Sequence, residues 1–171
     1  MNVPEMSKIV TFRLGEDYFA ADIYSVERVL RYQSPTPIPN VPTWIEGVIE
    51  YLGRVVPVIN LRRRFELPDL SVAAETRILV FNASGEWVAA IVDAVLEVSG
   101  LDEATVSPPP ALFRGLSAEY LKGIVRRKDR LVVLLDIARL LSSSDRLALE
   151  RAVEASAIPD AAAGREAAKH A

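Results

Sequence analysis

The chain has 171 residues, half of them hydrophobic, and a formal net charge of −3 at pH 7. This length suits one globular domain or two small ones built around a shared core. The absence of cysteine excludes disulfides, thiolate metal sites and cysteine nucleophiles, and is typical of a reducing compartment, so we expect the cytoplasm. The first residues lack the features of a signal peptide and no apolar run is long enough to span a bilayer, so we expect no membrane insertion.

The first third of the chain predicts a hairpin, a helical turn and an extended loop, in that order. Residues 7–14 and 18–22 alternate apolar and polar side chains around the Gly15-Glu16 turn, as a β-hairpin does. The next apolar residues recur at helical spacing and predict one short helix or helical turn; they are Ile23, Val26, Val29 and Leu30. Four prolines between residues 35 and 42 then exclude regular structure.

Residues 47–61 predict a strand, a turn and a second strand that starts at Arg54. Pro57 lies inside the second strand, and because proline donates no backbone hydrogen bond, we expect this strand at the edge of a sheet. The turn places Tyr51 and Leu52 at positions that are normally polar. Two readings stay open: the apolar pair folds onto the core, or it awaits a partner.

The same pattern returns 76 residues later, without a gap, over residues 123–137. An upstream match supports a duplication, because Val10-Thr11-Phe12 and Gly15-Glu16 recur in the same order as Leu79-Val80-Phe81 and Gly85-Glu86. Neither copy has enough apolar cover to stand alone. We therefore predict two related β units on a shared core, with the two repeats in separate sheets. The units are expected at about residues 7–70 and 74–141, and an exchange of strands between them stays open.

The second half of the chain continues with strands and ends in a helix. Residues 67–76 predict a polar connection, followed by strands over 77–81, 87–92 and 95–98. Ser142 to Asp145 supplies N-cap chemistry for a C-terminal helix over about residues 142–158. Residues 159–171 start at a proline and are rich in alanine and charge, which predicts a mobile tail.

The sequence offers little chemistry for catalysis. Its single histidine is His170, in the predicted tail, and it has no glycine-rich phosphate loop, so we expect neither an enzyme nor a cofactor or metal. Asn60 and Asp136 lie at equivalent strand ends, but only one of them can ionise. Polar residues at such ends usually cap the following turn, and the same explanation serves for Asp22 and Asp93.

Two basic clusters, Arg62–Arg64 and Arg126–Arg130, are the features that favour nucleic acid as a partner. Charged turns are usually solvated loops, and phosphate binding draws its affinity from a clustered cationic surface, which an isoelectric point near 5.3 opposes. We therefore expect no nucleic-acid binding.

Six segments together resemble the CheW-like adaptor domain of bacterial chemosensory arrays. They follow the family's order and spacing between about Lys8 and Ser142, which is most of the chain. The segments are Phe12–Gly15, Ile38–Pro42, Ile45–Ile49, Gly53–Arg62, Ile91–Asp93 and Glu119–Gly123. The resemblance implies a mainly β domain over residues 7–141, made of two pseudo-symmetric five-stranded SH3-like barrels on a shared apolar core, with short helices and a C-terminal helix.

The resemblance also implies a noncatalytic, cytoplasmic coupling protein. Family members bridge the cytoplasmic tip of a methyl-accepting chemoreceptor to the regulatory domain of a CheA-type histidine kinase, which is itself CheW-like. The receptor tip is a helical hairpin that would lay an apolar stripe into the groove between the barrels. The alternatives are a CheW-like scaffold of a divergent, non-chemotaxis pathway and, from another class, an SH3-like module that binds nucleic acid.

The family's partner-binding residues can be carried over to two segments. Val26, Arg28 and Val29 match its receptor-facing segment, and Glu50-Tyr51-Leu52-Gly53 matches a turn that typically reads Asn-Leu-Arg-Gly. Both segments depart from the family, because Arg28 replaces an acidic residue and Leu52 replaces an arginine. We expect these departures to leave the fold intact and to change the choice of partner.

Overall fold

The computed structural model describes residues 6–69, 71–109 and 120–155, which form ten β-strands and two α-helices. The strands are β1 (Met6–Leu14), β2 (Asp17–Asp22), β3 (Val26–Arg31), β4 (Ile45–Tyr51), β5 (Arg54–Asn60), β6 (Arg77–Ala83), β7 (Glu86–Val92), β8 (Ala94–Asp102), β9 (Leu121–Arg127) and β10 (Arg130–Leu135). The helices are α1 (Leu61–Arg64) and α2 (Ser143–Ala155), and 3₁₀ turns lie at Ile23–Ser25, Glu103–Thr105 and Ile137–Arg139. The predicted tail, the expected end of the C-terminal helix and Glu119 lie outside the described residues.

The strands form two five-stranded sheets. Sheet A has the order β8-β1-β2-β10-β9, and sheet B has the order β3-β6-β7-β5-β4. The two sequence repeats, β4-β5 and β9-β10, lie in separate sheets as predicted. Each sheet also takes one hairpin from the other half of the chain, since β1-β2 belongs to sheet A and β6-β7 to sheet B. The sheets are consistent with two SH3-like barrels, here called barrel A and barrel B.

Backbone contacts repeat with the same offset as the sequence. The Asn60 amide donates to the Trp44 carbonyl at 2.8 Å, and the Asp136 amide donates to the Tyr120 carbonyl at the same distance. Both partners of the second bond lie 76 residues after those of the first. The duplication is therefore present in the hydrogen bonding as well as in the residue pattern.

The largest group of buried side chains lies between the barrels, and both barrels contribute residues to it. It includes Phe12 and Phe19 from sheet A, Phe81 from sheet B, Phe65 after α1 and Leu149 from α2. Smaller clusters belong to each barrel separately. Because burial of apolar surface is the dominant favourable term in folding, the central cluster makes the two barrels one cooperative unit.

For residues 23–30 the prediction of a short helix is wrong, and its alternative, a helical turn, is confirmed. Only Ile23–Ser25 is helical, as a 3₁₀ turn, and β3 begins at the next residue. The pairing of β3 with β6 shifts register between Val26 and Arg28. This irregularity breaks the two-residue alternation of a strand, so that the apolar residues Val26 and Val29 fall three apart and imitate helical spacing.

The prediction that Pro57 marks an edge strand is also wrong, because β5 lies between β7 and β4. Pro57 is opposite Val48 in β4, and the parallel pairing with β7 begins one residue later, at Val58. The proline therefore precedes the ladder to β7, which explains how an interior strand accepts a residue without a backbone donor.

Candidate functional site

The two segments predicted to bind partners belong to the same barrel. Val26, Arg28 and Val29 lie on β3, one edge of sheet B, and residues 50–53 form the end of β4 and its turn into β5. Leu30 of β3 packs on a cluster that contains Tyr51 of β4, although the two strands are at opposite ends of the sheet order. The curled sheet therefore presents both segments on barrel B.

The turn from β4 into β5 has an unusual residue at its first position. Leu52 has φ of 48° and Gly53 has φ of 77°, between the paired residues Tyr51 and Arg54. Two positive φ values describe a type I′ turn, which favours Asn or Asp followed by Gly. A left-handed conformation crowds the Cβ atom of leucine, and the Leu52 side chain is 70 % exposed. Neither backbone preference nor burial favours leucine here.

The two readings of the apolar pair in this turn are each right for one residue. Tyr51 folds onto the core, where its ring lies 5.1 Å from the Trp87 ring. The guanidinium of Arg54, the first residue of β5, lies 4.1 Å from the centre of the same Trp87 ring, a cation–π contact. Leu52 remains on the surface as the apolar tip of a rigid hairpin.

The three residues of β3 that were predicted to bind a partner differ in how far they are buried. Val26 packs on the central cluster, whereas Val29 is 43 % exposed and Arg28 is exposed. Within the described part of the chain, Arg28 makes no hydrogen bond or ion pair. The three surface residues Arg28, Val29 and Leu52 are here called the barrel B patch; it combines an unpaired cation with two exposed apolar side chains.

Barrel A carries a matching surface that the sequence did not single out. β8 pairs with β1 through the same kind of register shift that β3 shows against β6, and Glu97 and Val98 lie 69 residues after Arg28 and Val29. The offset of the upstream repeat would have found these positions. The charge at the equivalent place is opposite.

The turn from β9 into β10 completes the comparison. Lys128, 76 residues after Leu52, also has a positive φ, and its Nζ lies 4.0 Å from a carboxylate oxygen of Glu97. In barrel B the same two places hold Leu52 and Arg28. Barrel A thus has a surface ion pair where barrel B has the patch. The two departures from the family noted above, Leu52 and Arg28, are the barrel B residues at these places.

The polar strand-end residues have structural partners, in two cases as expected. The side-chain Oδ1 of Asn60 accepts from the Arg63 backbone amide at 3.1 Å, and the Asp22 carboxylate accepts from the Tyr24 backbone amide at 2.9 Å. The capping role expected for Asp136 is wrong, because its side chain makes no cap hydrogen bond and instead lies 3.5 Å from Nε of Arg139.

Asp93 differs from the expectation, because it joins the barrels rather than capping a turn. Its carboxylate accepts from the Gly15 amide at 2.5 Å, in the β1-β2 turn of barrel A. It also forms an ion pair with Arg62, which follows β5 of barrel B and is 8 % exposed. Asp93 therefore links the β1-β2 turn of barrel A to Arg62 of barrel B.

The Arg62–Arg64 cluster is not an open cationic surface. Beside the Arg62–Asp93 pair, Arg63 lies 3.4 Å from Glu46 and Arg64 lies 3.1 Å from Asp145. These carboxylates are distant in sequence, so the run of arginines alone could not show that each is paired. The pairing weakens one of the two features that favoured nucleic acid, and the absence of nucleic-acid binding stays a prediction.

The described residues contain no group of three or more His, Cys, Asp and Glu side chains that could hold a metal ion. In the same part of the chain, neither α-helix has the length and apolar character needed to span a bilayer.

Comparison with known proteins places this arrangement in a family. The sequence model of the CheW-like domain matches residues 8–145. The chain is 31% identical to the chemotaxis protein CheW of Treponema pallidum over 145 residues, covering 82% of this chain and 85% of the relative. It is 32% identical to the protein FrzA of Myxococcus xanthus over 143 residues, covering 82% and 88%.

A solved structure supports the same assignment. The scaffolding protein TtCheW from Thermoanaerobacter tengcongensis superposes with a TM-score of 0.77 at 32% identity, covering 84% of this chain and 93% of that one. The match extends over both barrels. The chain belongs to the CheW-like domain family.

Proposed function

We propose that this chain is a noncatalytic scaffold that couples a chemoreceptor to a histidine kinase in a chemosensory array, and that the barrel B patch is one of its contact surfaces. The observation that carries the second part is the exposed Leu52 in a left-handed turn of the same barrel that carries the unpaired Arg28. A residue that its own fold does not favour is best explained by a contact outside the chain.

The relatives support the first part of the proposal. Several are named chemotaxis protein CheW, and the structural neighbour is named a scaffolding protein. The partners we propose are the helical cytoplasmic tip of a methyl-accepting receptor and the regulatory domain of a CheA-type kinase. The place of action would then be the cytoplasm, where both of those segments lie.

The chemistry of the patch indicates what its partner presents. Leu52 and Val29 need an apolar surface, and Arg28 needs a carboxylate beside it. An apolar side chain buried in a partner's pocket can contribute about 2 kcal/mol or more, whereas an exposed ion pair contributes about 0.2–1 kcal/mol. We therefore expect Leu52 and Val29 to supply affinity and Arg28 to select the partner. A partner that suits this patch would differ from the usual one, which favours a divergent array.

The test is affinity capture from the source cell with matched variants. The wild-type chain is expected to co-purify a methyl-accepting receptor and a histidine kinase together. Val29→Asp should fail to co-purify at least one of these two proteins. Val98→Asp, at the equivalent place in barrel A, should reduce co-purification by a smaller amount. Recovery of neither protein by the folded wild-type chain contradicts the coupling function, and equal losses in both variants contradict the assignment of the patch.

A further inference from the structure

We propose that α2 is a displaceable occupant of a helix-binding surface, and that a partner helix with a carboxylate, a leucine four residues later and a small residue three residues after that takes its place. The proposal does not depend on the receptor or the kinase. It rests on how α2 is held, on what lies beneath it and on the cleft beside it.

Few side chains hold α2 in place. Of its described side chains, Leu149 and Ala152 are buried, the first in the central cluster and the second against Ile38 and Val48. The exposed ones are Ser143, Ser144, Leu147, Ala148, Glu150, Arg151 and Glu154. A 13-residue helix is marginal by itself in water, so its order depends on these two apolar contacts and on the ion pairs of Asp145 with Arg64 and of Arg146 with Glu86, the latter at 3.5 Å.

The N-terminal end of α2 contacts Arg64, a cation that also packs against two aromatic rings. The Arg64 guanidinium lies 4.1 Å from the Trp44 ring and 4.9 Å from the Tyr120 ring, the aromatic residues at equivalent places of the two repeats. Among the described residues its carboxylate partner is Asp145, at 3.1 Å, and its Nε is buried without a hydrogen-bond partner. The cation therefore contacts aromatic rings that do not belong to α2, and we expect these rings to keep it in place when the helix leaves.

The surface under α2 is also larger than the helix covers. A cleft of about 320 Å³ runs between the helix and barrel B. Val55, Pro57 and Val88 contribute to its apolar lining on the barrel side, and Leu149 on the helix side. An apolar surface that continues past its occupant can accept a helix with larger side chains. Helix-in-groove binding reads anchors at helical spacing, and Asp145, Leu149 and Ala152 already have the spacing i, i+4 and i+7.

The experiment uses a fluorescently labelled peptide of residues 142–155 as the probe and the full-length chain as the receptor. In Leu149→Asp the resident helix is released, because a carboxylate replaces a side chain of the central cluster. Val48→Cys/Ala152→Cys is designed to hold it in place by a disulfide between two members of one buried cluster, and the absence of native cysteine makes the cross-link unambiguous. Fluorescence anisotropy is expected to show at least tenfold tighter binding to the released chain than to the locked one, with the wild type between them, since a tethered helix competes at high effective concentration.

Two controls keep the result specific. Leu147→Asp, on the exposed side of α2, should bind the peptide as the wild type does. A peptide with Asp145→Lys should lose binding to the released chain, because it brings a second cation to Arg64. Equal binding of the native peptide to released and locked chains overturns the proposal.

Amide hydrogen exchange on the wild-type chain tests the same idea without a variant. The amides of α2 are expected to exchange at least tenfold faster than those of β6, because the helix opens while the barrels remain folded. Protection of α2 equal to that of β6 shows that the helix leaves only on global unfolding, and overturns the proposal.

Discussion

Leu52 occupies in barrel B the position that Lys128 occupies in barrel A, 76 residues later, and Nζ of Lys128 lies 4.0 Å from a carboxylate oxygen of Glu97. Both residues adopt positive φ at the first position of a two-residue turn. The internal duplication thus provides a reference for the patch: one copy keeps a surface ion pair, and the other replaces it with an apolar tip and an unpaired arginine.

Leu52→Arg is expected to weaken binding to the chain's own partner and to make the remaining binding sensitive to salt. An apolar contact is little affected by ionic strength, whereas an exposed ion pair is screened over a Debye length of about 8 Å at 0.15 M salt. The measurement is affinity for the receptor tip and the kinase regulatory domain at low and high salt. Steep salt dependence in the wild type, with unchanged affinity in Leu52→Arg, contradicts the anchor role.

Leu52→Asn is expected to raise the free energy of unfolding by about 0.5–1 kcal/mol, because asparagine followed by glycine suits a type I′ turn and tolerates left-handed φ. The same variant should bind the partner more weakly. Urea unfolding measures the first effect and titration with the partner the second. A stabilised variant with full affinity would mean that leucine at this position serves neither folding nor binding.

Substitutions at three glycines allow the energetic cost of backbone strain to be distinguished from the cost of steric crowding. A Cβ atom at Gly47 would lie 2.1 Å from the Thr36 carbonyl oxygen, at φ of 148°. At Gly123 it would lie 2.5 Å from a Val106 methyl carbon, without a positive φ, and at Gly85 it would meet nothing within 4 Å, at φ of 90°. Substitution by alanine should therefore cost about 1 kcal/mol at Gly85, about 1–3 kcal/mol at Gly123 and more than either at Gly47.

Denaturant unfolding of the three glycine variants checks this order. Tolerance of alanine at Gly47, with a loss no larger than at Gly85, would show that the loop carrying Thr36 moves aside without cost.

Arg62→Met is expected to destabilise the chain by about 3–5 kcal/mol, because it leaves the Asp93 carboxylate largely buried without its cation. The double variant Arg62→Met/Asp93→Leu should recover part of this loss, since no charge is then left unpaired, although the Gly15 amide loses its acceptor. Thermal unfolding of the two variants gives the comparison. Equal stability of Arg62→Met and the wild type would show that the pair does not join the barrels energetically.

Much of the fold followed from the sequence because its signals are local. The strands of the two repeats, their turns and the N-cap of α2 depend on alternation, glycine and capping residues that lie within a few positions of each other. Asp145 and Ser142 illustrate this, since the carboxylate accepts from the Ser142 amide at 2.9 Å and the Ser142 hydroxyl accepts from the Asp145 amide at 3.1 Å.

The errors arose where a distant element decided the outcome. The bulge between Val26 and Arg28 exists because β3 pairs with β6, which follows about fifty residues later, and it turned a strand pattern into an apparent helix. The place of Pro57 depended on β7 joining the far side of β5. The residues of the barrel B patch are among those that the sequence predicted to bind partners, which stays a prediction, and their comparison with Glu97, Val98 and Lys128 required the structure of barrel A.

The most direct test of the barrel B patch is the affinity of the kinase regulatory domain for Leu52→Asn and Lys128→Asn, measured by titration under identical salt. Both substitutions place asparagine at the first position of equivalent turns, so any general effect on the fold is shared. The patch predicts at least a tenfold loss of affinity for Leu52→Asn and a loss of less than threefold for Lys128→Asn. Equal affinities for the two variants, or a larger loss for Lys128→Asn, would contradict it.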